Sequence, residues 1–293
     1  MKRLKPYIHT AFIFSFMGII SSCHLLTGDE VNKNSTNIET TKVELPLVNT
    51  NRDSIHKEIA DTLELNKTPI DSTKQYIYLT FDDGPYKGSH HINNIIKEEQ
   101  IKATVFIVGL NAYTEEKKQF IEDYKNNELI EVANHTYTHA RNKYTSYYNN
   151  PDGVLKDVMK NDTFFEIKNR FVRLPGRNVW RLGNLKKNDH DKASTITANK
   201  LAENQYYLVG WDYEWNRNSK KHPLDNPEKI YNGIVYRLEH KMTLVDNHLV
   251  ILMHDDMFDN EADAEKLRKL IRLIKNNQNM VLEFTSNYPF KIS

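Results

Sequence analysis

Cysteine is almost absent from this 293-residue chain, which contains one Cys, 10 Gly and 9 Pro. A single cysteine cannot form an intramolecular disulfide, so a small disulfide-stapled scaffold is excluded. An excess charge of one sign is also missing, because 40 basic and 39 acidic side chains give a formal net charge of +1. The sequence therefore gives no reason to expect nucleic acid as a partner. It contains no internal repeat, and nothing in it indicates an obligate protein partner.

The N-terminal segment is apolar but too short to span a bilayer. Basic residues at positions 2, 3 and 5 precede an apolar run over residues 11–20, which has the length of the hydrophobic part of a signal peptide. Residues 20–23 (ISSC) resemble a bacterial lipobox, in which the cysteine is lipidated. These features predict a lipoprotein-type signal over residues 1–22, export to the bacterial envelope, and a membrane anchor through lipid at Cys23. A plain secretory signal with an incidental cysteine is the alternative.

Residues 23–73 differ in composition from the rest of the chain. They are rich in Asn, Thr, Asp, Glu and Lys and have little sustained periodicity. This composition predicts a flexible tether, within which residues 54–65 are compatible with a short helix. Apolar runs and amphipathic segments alternate from there onward.

Two adjacent carboxylates follow a buried strand that is predicted at residues 76–81. This run is rich in aromatic and β-branched residues, and Gly84-Pro85 ends it. Asp82 and Asp83 are therefore expected at the C-terminal end of a strand, where ligands bind in open α/β sheets and in barrels. Adjacent acids are costly to desolvate unless a cation compensates them. An Asp-rich turn without a function is the alternative for this pair taken alone.

Two histidines four residues apart follow a second predicted strand, at residues 128–133. His135 and His139 would lie on one face if their segment turned helical, close enough to share a metal ion. A chain with 12 His also contains accidental pairs, and His90-His91 is interpreted as one of them.

Together these two segments resemble the polysaccharide deacetylase family, also called the NodB-homology or carbohydrate esterase family 4 domain. Residues 80–84 (TFDDG) match its first motif, and residues 135–139 (HTYTH) match the H-[ST]-x-x-H pattern of its second. By this resemblance, one divalent metal ion is bound by Asp83, His135 and His139. The ion is expected to be zinc, with cobalt or another divalent ion as the alternative. The resemblance also makes Asp82 the general base that activates water.

The third motif of that family, R-x-P followed by Tyr or Gly, has a counterpart in residues 173–177 (RLPGR). The resemblance assigns Arg173 to pair with Asp82 and hold it ionised. A surface charge on a strand is the alternative for Arg173. Pro175 and Gly176 are assigned to the substrate-binding surface, and the backbone N–H of Gly176 could approach an oxyanion. The usual Tyr after the proline is absent, which leaves this part of the site less defined.

The fourth motif is represented only in divergent form, by residues 211–215 (WDYEW). The resemblance implies an acid here that orients the catalytic histidine, and Asp212 is expected in that role with Glu214 as the rival. Trp211 and Trp215 are candidates for stacking on a sugar face, and burial under a loop is the alternative for each.

The fifth motif, L-x-H, is matched by residues 252–254 (LMH) at the end of a continuous apolar run. By resemblance, His254 is the general acid that protonates the leaving amine, and Leu252 forms part of the pocket for the acetyl group.

Predicted strands and helices alternate six or seven times, which indicates a parallel α/β architecture. Periodicity cannot separate a barrel from an open sheet, but the resemblance implies one catalytic domain over residues 74–293, a distorted (β/α) barrel with about seven parallel strands. The implied function is metal-dependent removal of N-acetyl groups from an acetylated glycan: peptidoglycan, poly-N-acetylglucosamine or a chitin-like oligomer. A hydrolase of O-acetyl esters or other small amides and a non-catalytic carbohydrate-binding module stay open as alternatives.

Overall fold

The computed structural model describes residues 69–291. The predicted signal segment, Cys23, the tether up to residue 68 and the helix expected at residues 54–65 lie outside the described residues. Within residues 69–291, no helix combines the length and the apolar character that a membrane span requires.

Residues 69–291 form ten strands and seven α-helices. The strands are β1 (Gln75–Asp82), β2 (Ala103–Ile107), β3 (Ile130–Asn134), β4 (Phe171–Val172), β5 (Trp180–Leu182), β6 (Leu185–Lys187), β7 (Tyr207–Leu208), β8 (Tyr213–Glu214), β9 (His248–His254) and β10 (Met280–Leu282). The helices are α1 (Lys87–Glu99), α2 (Glu115–Lys125), α3 (Tyr144–Tyr148), α4 (Pro151–Phe165), α5 (Lys192–Glu203), α6 (Pro227–Glu239) and α7 (Glu261–Lys275).

The strands form one sheet in the order β6-β5-β7-β4-β3-β2-β1-β9-β8, and β10 pairs with the first residues of β1. This sheet confirms the predicted α/β fold of the distorted-barrel type. Eight strands, β1 to β4 and β7 to β10, pair in parallel, close to the seven that were expected. The antiparallel hairpin of β5 and β6 was not predicted, because strands of three residues carry no readable period.

Alternation along the long strands separates two packed layers. Leu79 and Phe81 of β1 belong to a core cluster that includes apolar side chains of α1, α2, α6 and α7. Tyr78 points the other way, into a second cluster inside the sheet. Because successive strand side chains alternate, Thr80 and Asp82 share the inner face with Tyr78. By the same alternation, every other side chain of each central strand lies on the inner face of the sheet.

Candidate active site

Polar residues at several strand ends meet in one cavity of about 300 Å³. It is lined by Asp82, Asp83, His135, His139, Tyr144, Gly176, Trp211, Glu214, Arg217, Leu252 and His254. The strands that carry most of these residues run parallel, so their carboxyl ends open at the same edge. A larger cavity of about 380 Å³ is lined by segments of α2, β3 and the residues after α4, and it lacks such a group of acids and histidines.

Asp82 and Arg173 form a buried ion pair. Arg173 Nη1 donates to Asp82 Oδ1 at 2.8 Å and to Thr80 Oγ1 at 2.7 Å. Its other nitrogens donate to the carbonyl oxygens of Val209, at 3.1 Å, and Gly210, at 2.9 Å. Arg173 is fully buried, and burial lowers its pKa although the charge of Asp82 opposes the shift. The side chain therefore lies behind Asp82 and holds one of its oxygens, as the pairing expected from the sequence requires.

Asp83, His135 and His139 form the cluster whose donor atoms lie within 4.8 Å of one another. Asp83 Oδ1 lies 3.5 Å from His135 Nε2 and 3.1 Å from His139 Nε2. That buried oxygen has no hydrogen-bond partner among residues 69–291. His135 Nδ1 lies 2.8 Å from the carbonyl oxygen of Arg173, which leaves Nε2 directed at Asp83. One carboxylate and two imidazoles converging in this way fit a divalent transition-metal ion.

The two histidines meet without an α-helix. The chain bends after β3, and residues His139–Asn142 form a short 3-10 turn. Thr136 and His139 have φ values of 68° and 49°, in the left-handed region, and His139 N donates to Thr136 Oγ1 at 3.1 Å. The imidazole centroids are 5.0 Å apart. The condition that the segment turns helical was therefore wrong, and a tight left-handed bend brings the rings together instead.

The pKa values of Asp83 and His135 are shifted by their charged neighbours in the cluster. Burial opposes ionisation of Asp83, but His135 and His139 outweigh it and hold the pKa of that carboxyl well below its usual value. Burial likewise opposes the charge of His135, and the neighbouring Asp82 and Asp83 raise its pKa nonetheless. The carboxylates and the imidazoles therefore stabilise one another's charged forms.

Asp212 does not contact His254. Its carboxylate accepts the backbone N–H groups of Leu244, at 2.8 Å, and Val250, at 2.9 Å, and burial raises its pKa to about 6. The backbone of Asp212 is bonded to Val250, four residues before His254, which corresponds to about 13 Å along a strand. The Nδ1 atom of His254 has no hydrogen-bond partner within the described part of the chain. The expected bond from Asp212 to His254 is therefore absent.

Glu214 lies closer to the chemistry than Asp212. It pairs in register with Leu252, two residues before His254, and it lines the cavity together with both. Burial raises the pKa of Glu214, and the nearby charge of Asp82 acts in the same direction.

The predicted substrate-contact residues separate into two groups. Trp211, Gly176 and Leu252 line the cavity, and Gly176 has φ = 62°, which favours glycine. Trp215 is fully buried, and its indole N–H donates to the carbonyl oxygen of Asp225, so stacking on a sugar was the wrong interpretation for this residue. The carbonyl oxygen of Pro175 accepts the hydroxyl of Tyr148 at 2.6 Å, and Pro175 does not line the cavity.

Two residues that line the cavity were not predicted from the sequence. Tyr144, on α3, packs against Gly176, where an added Cβ would lie 3.4 Å from the tyrosine ring, and its ring centroid is 6.2 Å from that of His139. Arg217, on the loop after β8, lies 3.1 Å from Asp83 Oδ2. Neither residue follows a predicted strand, and only the absence of the usual Tyr after Pro175 hinted that another side chain would occupy that space.

The chain is similar in sequence to known deacetylases. Residues 70–179 match the family model described as "Polysaccharide deacetylase". A chitin disaccharide deacetylase of Vibrio alginolyticus is 26% identical in a match that covers 49% of this chain and 48% of that protein. A peptidoglycan-N-acetylglucosamine deacetylase of Bacillus cereus is 34% identical over 34% of this chain and 35% of that protein. The chain thus matches about half the length of the first curated relative and about a third of the second.

The fold is similar to that of solved structures. The catalytic domain of a peptidoglycan N-acetylglucosamine deacetylase from Eubacterium rectale aligns with a TM-score of 0.54 and 18% identity, covering 78% of this chain and 98% of that domain. At this identity the likeness concerns the fold alone.

Proposed function

We propose, from the premise that this chain is a member of the polysaccharide deacetylase family, that it is a metal-dependent hydrolase that removes N-acetyl groups from an N-acetylhexosamine polysaccharide. One observation carries the proposal: a paired carboxylate, a cluster of metal-ligand type and an imidazole whose Nδ1 has no hydrogen-bond partner among residues 69–291 converge on one cavity. These groups are Asp82 with Arg173; Asp83 with His135 and His139; and His254. A base, a cation site and a proton donor are the parts that amide hydrolysis requires.

Asp83, His135 and His139 would hold the divalent ion. Zinc is proposed, with cobalt or another divalent ion as the alternative, because one carboxylate and two imidazoles suit zinc and leave positions open for water and substrate. When bound, the ion supplies Lewis acidity, which polarises the acetyl carbonyl group and lowers the pKa of water. The contact between His135 Nδ1 and the Arg173 carbonyl oxygen fixes the orientation of the imidazole for this task.

Asp82 is the proposed general base. Its Oδ1 accepts from Arg173, whereas Oδ2 faces the cluster, 3.6 Å from His135 Nε2. One oxygen is thus fixed by the guanidinium. The other is turned toward the position at which a water molecule would be deprotonated. Removal of a proton from water by Asp82 Oδ2 would generate the nucleophile beside the acetyl carbonyl carbon.

His254 is the proposed proton donor for the departing nitrogen. It pairs in register with Asp82 across β1 and β9, so neighbouring strands supply the base and the acid. Burial lowers the pKa of His254, although the charge of Asp83 opposes the shift. Leu252, on the same strand face, and Trp211 would bound the acetyl methyl group.

Release of acetate tests this proposal directly. Protein stripped of metal should release no acetate from N-acetylglucosamine oligomers or peptidoglycan, and addition of zinc or cobalt should restore release. The physical reason is that the carbonyl group of an unactivated amide needs the electrophile that the cluster binds. The measurement is enzymatic quantification of acetate, with the metal content of each sample determined in parallel.

The same assay separates the alternatives. Faster release from O-acetylated than from N-acetylated glycans would replace the N-deacetylase with an esterase. Tight glycan binding with one equivalent of metal and no acetate would indicate a carbohydrate-binding module instead.

We further propose that the protein is an exported lipoprotein of the bacterial envelope, a location where peptidoglycan and exopolysaccharides are at hand. The proposal rests on the basic and apolar segments before Cys23. Cells that express the protein should incorporate a labelled fatty acid into it, and Cys23→Ser should abolish the label. An unlabelled wild-type protein would contradict the anchor without affecting the proposed activity.

A further inference from the structure

Arg217 bridges two acidic side chains at the rim of the cavity. Its Nη2 donates to Asp83 Oδ2 at 3.1 Å, and its Nη1 donates to Asp256 Oδ1. The side chains are 21% exposed for Arg217, 13% for Asp83 and 9% for Asp256, so the contacts are largely shielded from water. A guanidinium stays charged in proteins, so Arg217 places a positive charge beside Asp83.

The loop that carries Arg217 is held in place from both sides. Trp215, two residues earlier, is fully buried in the core. Arg217 forms an antiparallel bridge with Pro223, and the loop is closed by further backbone hydrogen bonds. His222 Nδ1 lies 2.6 Å from Asp263 Oδ2 in the first turn of α7. The guanidinium is thus presented to the cavity by an ordered hairpin loop.

The two carboxylate oxygens of Asp83 face different neighbours. Oδ1 faces the imidazoles of His135 and His139, and Oδ2 accepts from Arg217. A carboxylate with both oxygens free can ligate a cation through one oxygen or through two. Because Arg217 occupies one oxygen, only the other is directed at the cluster.

We propose that Arg217 is a positioning residue that restricts Asp83 to one metal-facing oxygen and so keeps ligand positions open for water and substrate. The inference rests on the proposed function, since it assumes that a divalent ion binds at Asp83, His135 and His139. Arg217 has two separable effects on that site. Its positive charge repels a bound cation, and its hydrogen bond orients the carboxylate. Removal of Arg217 should therefore leave cation binding as tight as before or tighter, while turnover falls.

Arg217→Met, made in the full-length protein, tests this separation. Co²⁺ alone is titrated into protein stripped of metal and followed by visible absorption, and acetate release is then measured with the Co²⁺-loaded samples. R217M should bind Co²⁺ at least as tightly as the wild type, and its visible bands should weaken because a second carboxylate oxygen raises the coordination number. Its turnover should fall by about 10- to 100-fold, as is usual for a residue that orients a metal ligand. R217K keeps the charge without the two-pronged geometry and should recover only part of the turnover.

Lys221→Met is the matched control. Lys221 lies on the same loop and pairs with Asp256 at 3.2 Å, so K221M removes an equal charge from the same acidic partner. It should keep the wild-type spectrum and turnover.

Three results would overturn the role of Arg217: Co²⁺ affinity that falls in parallel with turnover in R217M, an unchanged spectrum and turnover in R217M, or an equal loss in K221M. A wild type that binds Co²⁺ but releases no acetate would contradict the proposed function, and the spectra of R217M and K221M would still decide the role of Arg217. A wild type that fails to bind Co²⁺ would overturn both.

Discussion

Asp82→Asn should remove most of the turnover while the protein keeps its metal. The substitution preserves the shape of the side chain, and an amide oxygen can still accept the hydrogen bond from Arg173 Nη1. The amide cannot take a proton from water, so kcat should fall by about 10²- to 10⁴-fold, the usual contribution of a general base. Acetate release and metal content, measured on the same preparation, check both halves of this expectation.

The neighbouring residue supplies the matched comparison. Asp83→Asn is an identical chemical change one position along the chain, but Asp83 Oδ1 faces both imidazoles of the cluster. Asp83→Asn removes the charge of a metal ligand itself. Metal binding should therefore weaken by more than the roughly 10- to 100-fold that is usual when a residue that only orients a ligand is lost. D83N should therefore be isolated without metal, and excess zinc should recover part of its turnover.

The contrast between the two variants is the decisive feature. If D82N kept near wild-type turnover, Asp82 would not be the base. If D82N and D83N lost metal equally, both carboxylates would be ligands, and the base would have to be sought elsewhere on the cavity. Glu214, which lines the same cavity, would then be the first residue to examine.

The fold was predictable where the elements are long. The eight residues of β1 and the seven of β9 carry clear apolar runs. The hairpin of β5 and β6 was missed because strands of three residues offer no period, and their pairing depends on contacts with β7 that no local pattern encodes.

The site residues that could be predicted from the sequence are those that lie at the ends of long strands. Asp82, His135 and His254 end or directly follow strands, and alternation along a strand fixes the side on which each side chain lies. The interaction expected for Asp212 failed because it depends on the register between β8 and β9, which a motif does not specify. Tyr144, at the start of the short helix α3, and Arg217, on a loop, reach the cavity from outside the strands, and the contacts that hold their segments are tertiary. Sequence reasoning thus identified the strand-borne chemistry and missed the residues around it.

Arg173→Met should destabilise the protein by about 3–5 kcal/mol, because it leaves the carboxylate of Asp82 buried without its cation. Arg173 also donates to Thr80 and to two backbone carbonyl groups, so several buried acceptors lose their partner at once. The free energy of unfolding is measured by urea titration in the presence of a chelator, so that bound metal does not add to the stability of the wild type. Arg173→Lys keeps the charge but cannot reach all four acceptors, so its stability should lie between that of the wild type and that of R173M.

The double variant D82N/R173M separates the ion pair from the rest of the network. Removing the charge of Asp82 should relieve the penalty of an unpaired buried carboxylate, so the double variant should be more stable than R173M by at least about 1 kcal/mol. The remaining deficit then belongs to the unsatisfied acceptors at Thr80, Val209 and Gly210. A double variant no more stable than R173M would mean that Asp82 finds another partner or a proton when the guanidinium is gone. In that case Arg173 would be a support of the strand ends rather than the residue that keeps Asp82 charged.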